Sequence, residues 1–238
     1  MNRPFAAFDI DGTLLRWQLY HAVADEMVRR GLIDPAAYQK VKAARMTWKR
    51  RSHAESFDEY EQTLVQLIGS SIANIKVEDF NAAADAVIDE YKDQVYTYTR
   101  DLIQELKSKN YLLFAISGSQ VEIVGKLARY YGFDDWGGTV YESKNGHYTG
   151  NSQPLRSQRK PEYLKELVAK HHASWQGSVA VGDSESDIPM LSTVEQPIAF
   201  NPSRALFDHA KTEQWPIVVE RKNVVYKLES SDGHYRLG

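Results

Sequence analysis

The sequence predicts an α/β protein: a Rossmann-like parallel sheet with helices on both faces, carrying an inserted all-helical cap. Three observations predict it. Strand-length apolar runs end abruptly in acidic or small polar residues, as buried parallel strands do where their carboxyl ends face a site. From about residue 100 such runs alternate with helical stretches. Between Thr13 and about Tyr98, by contrast, the apolar spacing is helical throughout.

Taken in order, Phe5 to Ile10 reads as a buried strand that runs into Asp9-Ile10-Asp11-Gly12-Thr13. Carboxylates two apart on an extended chain point to the same side, and Gly12 permits the sharp turn that follows. Asp9 and Asp11 therefore suit a carboxylate nucleophile beside a second acid, although a strand ending in an Asx-type turn has the same pattern. Trp17 to Arg30 is amphipathic and stops at Gly31. Asp34-Pro35 supplies N-cap and N1 preferences for a second helix, Ser56 and Glu59 a capping box for a third ending near Gly69, and Val77 to Tyr91 a fourth.

After this stretch, Tyr111 to Ile116 reads as a strand leading into Ser117-Gly118-Ser119 and a helix from Gln120 to Tyr131. Hydroxyl and N–H groups at a helix start form a ready anion site. A hairpin spans Thr139 to Gly150, turned at Asn145-Gly146. Lys160 opens a helix over Pro161 to Lys170, followed by a strand from Ser178 to Gly182 and the acidic turn Asp183-Ser184-Glu185-Ser186-Asp187. Pro197 to Phe200 and Ile217 to Val219 complete the sheet. Residues 1–15 and 98–220 thus form a discontinuous core, 16–97 the cap, and 221–238 a polar tail that either adds an edge strand at Val224-Val225-Tyr226 or stays mobile.

Composition narrows the function classes. The chain has 238 residues, 42% hydrophobic and 26% charged, long enough for one substantial core and a smaller subdomain. A formal net charge of −3 gives no bulk attraction to nucleic acid or acidic membranes. Cysteine is absent, which excludes disulfides and thiolate metal or redox chemistry and fits a cytoplasmic location. No apolar run approaches the roughly 18 residues of a membrane span, and Asp9 interrupts any signal-peptide core.

Each polar strand end has a bland alternative as a cap or turn, but four of them in this order resemble the haloacid dehalogenase superfamily of phosphatases, in its phosphoserine-phosphatase-like subgroup with a helical cap near the N-terminus. The matching residues are Asp9 and Asp11 with Gly12-Thr13, then Ser117, then Lys160, then Gly182-Asp183 with Asp187. The resemblance implies a phosphomonoesterase acting through an aspartyl-phosphate on a small phosphorylated metabolite. Asp9 would attack phosphorus, and Asp11 would protonate the leaving oxygen and later accept a proton from water. Gly12, Thr13, Ser117, Gly118 and Lys160 would hold phosphate oxygens. Asp9, Asp183 and the Asp11 backbone carbonyl would ligate a metal, with Asp187 holding a metal-bound water or a ligand in place. An all-oxygen site of this kind suits Mg²⁺.

Asp11 favours phosphate chemistry over dehalogenation, because halide leaves without a proton. A phosphomutase would use the same residues. A receiver domain, which also phosphorylates an aspartate, carries no cap.

The cap bears on the substrate. Phosphoserine phosphatases carry a Glu nine residues after the nucleophile and an Arg on a later cap helix. Here the first position is Gln18, Phe57 to Leu67 contains no Arg or Lys, and Ser186 stands where Asn is frequent. Gln18 and His21, on the first cap helix, are the candidate substrate contacts. Lys40, Lys42, Arg45, Lys49, Arg50 and Arg51 form either an electropositive rim or a solvated face balanced by Glu55, Asp58, Glu59 and Glu61.

Overall fold

The computed structural model describes residues 2–53, 55–231 and 234–237. In chain order it has β1 (Pro4–Phe8), α1 (Leu19–Arg29), α2 (Gln39–Lys49), α3 (Ser56–Ser71), α4 (Val77–Tyr91) and α5 (Thr97–Ser108). There follow β2 (Leu112–Gln120), α6 (Val121–Tyr131), β3 (Asp135–Lys144), β4 (His147–Gln153), α7 (Lys160–Lys170), β5 (Ser174–Gly182) and α8 (Ile188–Leu191). Last come β6 (Gln196–Phe200), α9 (Arg204–Thr212), β7 (Ile217–Arg221), β8 (Val224–Ser231) and β9 (His234–Leu237).

The chain divides into two compact units, residues 1–18, 91–139 and 154–238 in the first and 19–90 with 140–153 in the second. In the first, β3, β2, β1, β5, β6 and β7 lie side by side and parallel, and β8 and β9 continue the sheet antiparallel. Phe5, Ala6, Ala7 and Phe8 are all fully buried, as a central strand covered on both faces requires. Phe8 is level with Ala115 of β2 and Val181 of β5. Successive strands β1, β2 and β3 run one way from the centre and β5 to β7 the other, so strand order reverses between β1 and β5. Ligands in open α/β sheets bind at the carboxyl ends of strands beside such a reversal.

The end of β2 departs from regularity. Ile116 pairs with Gly137 and Gln120 with Thr139, so four steps along β2 match two along β3. The surplus is taken up by a bulge at Ser117–Ser119, a device that re-aims side chains. Gly138 allows it, because a Cβ there would sit 2.7 Å from the Ser119 carbonyl. Ser117 and Ser119 therefore belong to the strand end, and α6 starts only at Val121, against the expectation of a serine at a helix N-terminus.

The second unit contains α1 to α3, most of α4, and the hairpin of the outer β3 with β4. The hairpin is fastened to these helices by Val77 N–H to Gly146 O at 2.9 Å and Tyr148 N–H to Ile75 O at 3.2 Å. A helical insert bounded at 16–97 leaves out those long-range bonds, which group 140–153 with the helices. Two expected helix starts differ as well. Asp34 Oδ1 accepts the Ala36 N–H at 2.9 Å, but the residues after it form turns and α2 begins at Gln39. The capping box at Ser56 is not formed, because its hydroxyl donates to His53 O at 2.8 Å instead.

Residues 221–238 add strands in their described part, with Val224 to Leu228 paired along β7. Just before them, Glu220 is buried and fastens distant segments of the first unit. Its carboxylate accepts the N–H groups of Thr97 at 3.1 Å and Tyr98 at 2.8 Å, capping α5, and pairs with Arg16. Arg16 also donates to Val95 O at 2.8 Å. Truncating Glu220 leaves two helix-start donors without their acceptor, a cost of about 2–4 kcal/mol. Glu220→Ala should therefore lower Tm by roughly 5–12 °C; a fall of under about 2 °C in a thermal-unfolding measurement would contradict this reading.

Candidate active site

Beyond the ends of β1 and β5, three carboxylates and one ammonium converge. Asp9 follows β1 directly, and its N–H donates to Val181 O at 2.9 Å, the last rung between the two strands. Lys160, at the start of α7, donates from Nζ to Asp9 Oδ1 at 2.8 Å and to Asp187 Oδ1 at 2.6 Å. Asp9 is 5% exposed, Lys160 3% and Asp187 not at all. The second Asp187 oxygen accepts the N–H groups of Asp183 (3.2 Å) and Ser184 (3.0 Å) and the Ser184 hydroxyl (2.9 Å).

Asp183 stands opposite Asp9, with Oδ1 accepting the Thr13 hydroxyl at 3.0 Å. Gly12 has φ +90°, and a Cβ there would lie 2.3 Å from Asp183 Oδ2, so the turn closes onto this acid only with glycine. One oxygen from each of Asp9, Asp183 and Asp187 lies within 4.8 Å of the other two.

One ammonium does not balance three carboxylates. Burial, then Asp187 and Asp11, push Asp9 up from 3.8 to about 8 despite the opposing pull of Lys160. Burial and the charges of Asp9 and Asp187 also hold Asp183 well above the ordinary carboxylate range. Burial works against the charged form of Lys160, but Asp187 and Asp9 outweigh it and raise its pKa. An oxygen-only cluster with surplus negative charge fits a hard divalent cation. Asp9 and Asp183 are placed to hold it. Both oxygens of Asp187 are engaged by Lys160 and the 183–184 amides, so this residue fixes the surrounding groups.

Asp11 lies beside this cluster. Its Oδ2 accepts the hydroxyls of Ser117 at 2.6 Å and Ser119 at 2.8 Å. Ser117 Oγ in turn accepts the Ser119 N–H at 2.9 Å. Ser119 and Ser184 stand in segments that the sequence singles out, but neither carries an expected role there. The signal for Ser119 was its two-residue spacing from Ser117, which a strand places on one face.

Not every expected phosphate contact is open. The Gly12 N–H donates to Leu15 O at 3.1 Å and the Thr13 N–H to Ile10 O at 3.3 Å, so the turn itself uses both donors. Gly118 is exposed among buried neighbours, and a Cβ there would meet only Leu155 O, at 3.9 Å.

Gln18 is half-buried at the end of the segment that leaves β1. His21 is not a surface contact. It is 1% exposed within the second unit, its ring 4.6 Å from that of Tyr60 and flanked by Trp48 and Phe57. From the basic run, Arg45 turns inward to Asp25 at 2.9 and 3.0 Å and to the hydroxyls of Tyr38 (2.6 Å) and Tyr60 (2.9 Å).

The sequence signature of the haloacid dehalogenase-like hydrolases matches residues 6–192, a span holding every residue of this cluster. The chain belongs to that family. Among its relatives is a histidinol-phosphatase of Neisseria meningitidis serogroup C, 24% identical over 91% of this chain and 98% of its own. Among solved structures, a Bordetella pertussis Tohama I protein of unknown function shares the fold at TM-score 0.74 and 22% identity, covering 91% of this chain and 98% of its own. A substrate-bound phosphoserine phosphatase does so at TM-score 0.65 and 21% identity, covering 94% and 95%. None of the described helices is long and apolar enough to cross a membrane.

The charge imbalance has a measurable consequence for this protein. Without a cation, Asp9 keeps its proton to about pH 8 while the unfolded chain releases it near 3.8. The folded state then binds the extra proton across that window, so this group makes the protein less stable as pH rises through it. A divalent cation on the carboxylates displaces the proton and removes the penalty. The Tm gained with Mg²⁺ relative to EDTA should grow between about pH 5.5 and pH 8. A gain that is absent, or the same at every pH, contradicts this assignment.

Proposed function

We propose that the chain is a Mg²⁺-dependent phosphomonoesterase that hydrolyses a small phosphorylated metabolite through a phosphoaspartate on Asp9. The observation that carries this reading is the position of Asp9. It is buried at the last rung of the central strand, with Lys160 on one oxygen, Asp183 opposite and Asp11 two residues on.

Asp9 attacks phosphorus in line, forming the acyl-phosphate bond as the bond to the ester oxygen breaks. Asp11 gives its proton to the departing alkoxide. It then takes a proton from the water that attacks phosphorus and releases the Asp9 carboxylate with inorganic phosphate. Ser117, the open face at Gly118 and the third N–H of Lys160 bind phosphate oxygens. Asp9, Asp183 and the Asp11 carbonyl would hold Mg²⁺, which would offset the repulsion between carboxylate and phosphate. A phosphomutase would share these residues, and release of inorganic phosphate separates the two.

For substrate, the end-to-end similarity to a histidinol-phosphatase supports the phosphate ester of a primary alcohol, with histidinol phosphate the first to assay. Phosphoserine differs from it by a carboxylate, and Phe57 to Leu67 offers no Arg or Lys to that charge; Gln18 offers none to the ammonium that both esters carry. A charge left unpaired in a desolvated site commonly costs several kcal/mol.

Asp9→Asn should lower kcat by at least about 10³-fold in a protein that still folds, since the amide keeps the shape but is not a nucleophile. Substantial residual turnover in a contaminant-free preparation would remove Asp9 from this role.

Histidinol phosphate should be turned over better than phosphoserine. Gln18→Glu should raise kcat/KM for phosphoserine more than for para-nitrophenyl phosphate. A wild type that prefers phosphoserine to every other ester tested would contradict this reading of the cap.

A further inference from the structure

Ser119 has no part in the chemistry above, yet its hydroxyl is 2.8 Å from Asp11 Oδ2 and it is 3% exposed. The bulge at the end of β2 brings it there together with Ser117, whose hydroxyl meets the same oxygen at 2.6 Å. Both donors tie Oδ2 to the end of β2, so Oδ1 is the oxygen left to meet an ester oxygen. Ser117 cannot serve Asp11 throughout, because its hydroxyl is also the one that turns to a phosphate oxygen. Asp11 then keeps the Ser119 hydroxyl on Oδ2 to hold its carboxyl plane.

We propose that Ser119 is a positioning residue, which anchors Asp11 through Oδ2 while Ser117 binds phosphate and thereby keeps Oδ1 directed at the leaving oxygen. The inference rests on the reading of Asp11 as the acid that protonates that oxygen. It divides the two serines of one bulge between two tasks, phosphate binding and acid alignment. Gly138 is part of the device, since its missing Cβ admits the Ser119 carbonyl.

A mispositioned acid should matter most where the leaving group most needs a proton. Nitrophenolate leaves readily without one, whereas an alkoxide does not. The experiment measures kcat/KM, which reports formation of the phosphoaspartate, for para-nitrophenyl phosphate and for an alkyl monoester the wild type hydrolyses, benzyl phosphate first. Taking the ratio of the two on one preparation cancels any loss of folded enzyme.

Ser119→Ala should lower the alkyl ester about 10- to 100-fold and the nitrophenyl ester by less than about threefold. Ser119→Thr, which keeps the hydroxyl, should restore the ratio. Equal falls for both esters, or no fall for either, would overturn the proposal. Asp11→Asn measured in parallel separates the two failures. If it shows the selective loss and Ser119→Ala does not, the positioning role fails and Asp11 keeps its own. If Asp11→Asn shows no selectivity, both fall.

Discussion

The Lys160 ammonium shared between Asp9 and Asp187 is the contact on which the rest of the site depends. A cation at the start of a helix opposes the helix dipole, and a buried ammonium forfeits its hydration. Two carboxylates at 2.8 and 2.6 Å offset both costs. Removing one partner of such a buried pair typically costs about 3–5 kcal/mol. Through Asp187, the same ammonium fixes the turn that presents Asp183. The start of α7, the end of β1 and the loop after β5 are in this way joined at one nitrogen atom.

The sheet makes that junction possible. Strand order reverses between β1 and β5, so the loops leaving these two strands diverge and open space between them. Register then does the rest, because Phe8 lies level with Ala115 and Val181 and the groups that follow emerge at one height. The bulge in β2 lets a third strand present two hydroxyls to one carboxylate oxygen.

Much of this was legible in the sequence because reactive groups at strand ends interrupt an apolar pattern that otherwise has no reason to stop. The parallel strands, Asp9 and Asp183 announce themselves in that way, whereas Lys160 is marked by the helix it opens. What stayed hidden depends on the partners that donors choose. The amides of Gly12 and Thr13 are taken by their own turn, and Ser56 bonds backward to His53 instead of capping its helix. His21 lies in the helical unit's interior because aromatic rings from α2 and α3 surround it, which α1 alone does not reveal. Glu220, at the last position of the expected core and given no role there, gains its place from amides more than 120 residues away in sequence.

His21 gives the helical unit an acid limit of its own. Burial, assisted by Arg45 and opposed by Asp25, lowers its pKa from 6.5 to about 3. Below 6.5 the unfolded chain takes up a proton that the folded ring refuses, so stability from this group is lost as pH falls towards 3. Asp9 slopes the other way, losing stability as pH climbs from 3.8 to about 8 when no cation is present. These opposed slopes offset each other between about pH 4 and 6.5, so this pair of groups gives the cation-free protein a level stretch on the acid side of neutrality, with stability lost on either side of it. Binding a cation lifts the alkaline boundary while leaving the acid one in place, so the bound metal widens the range of acidity over which the fold endures.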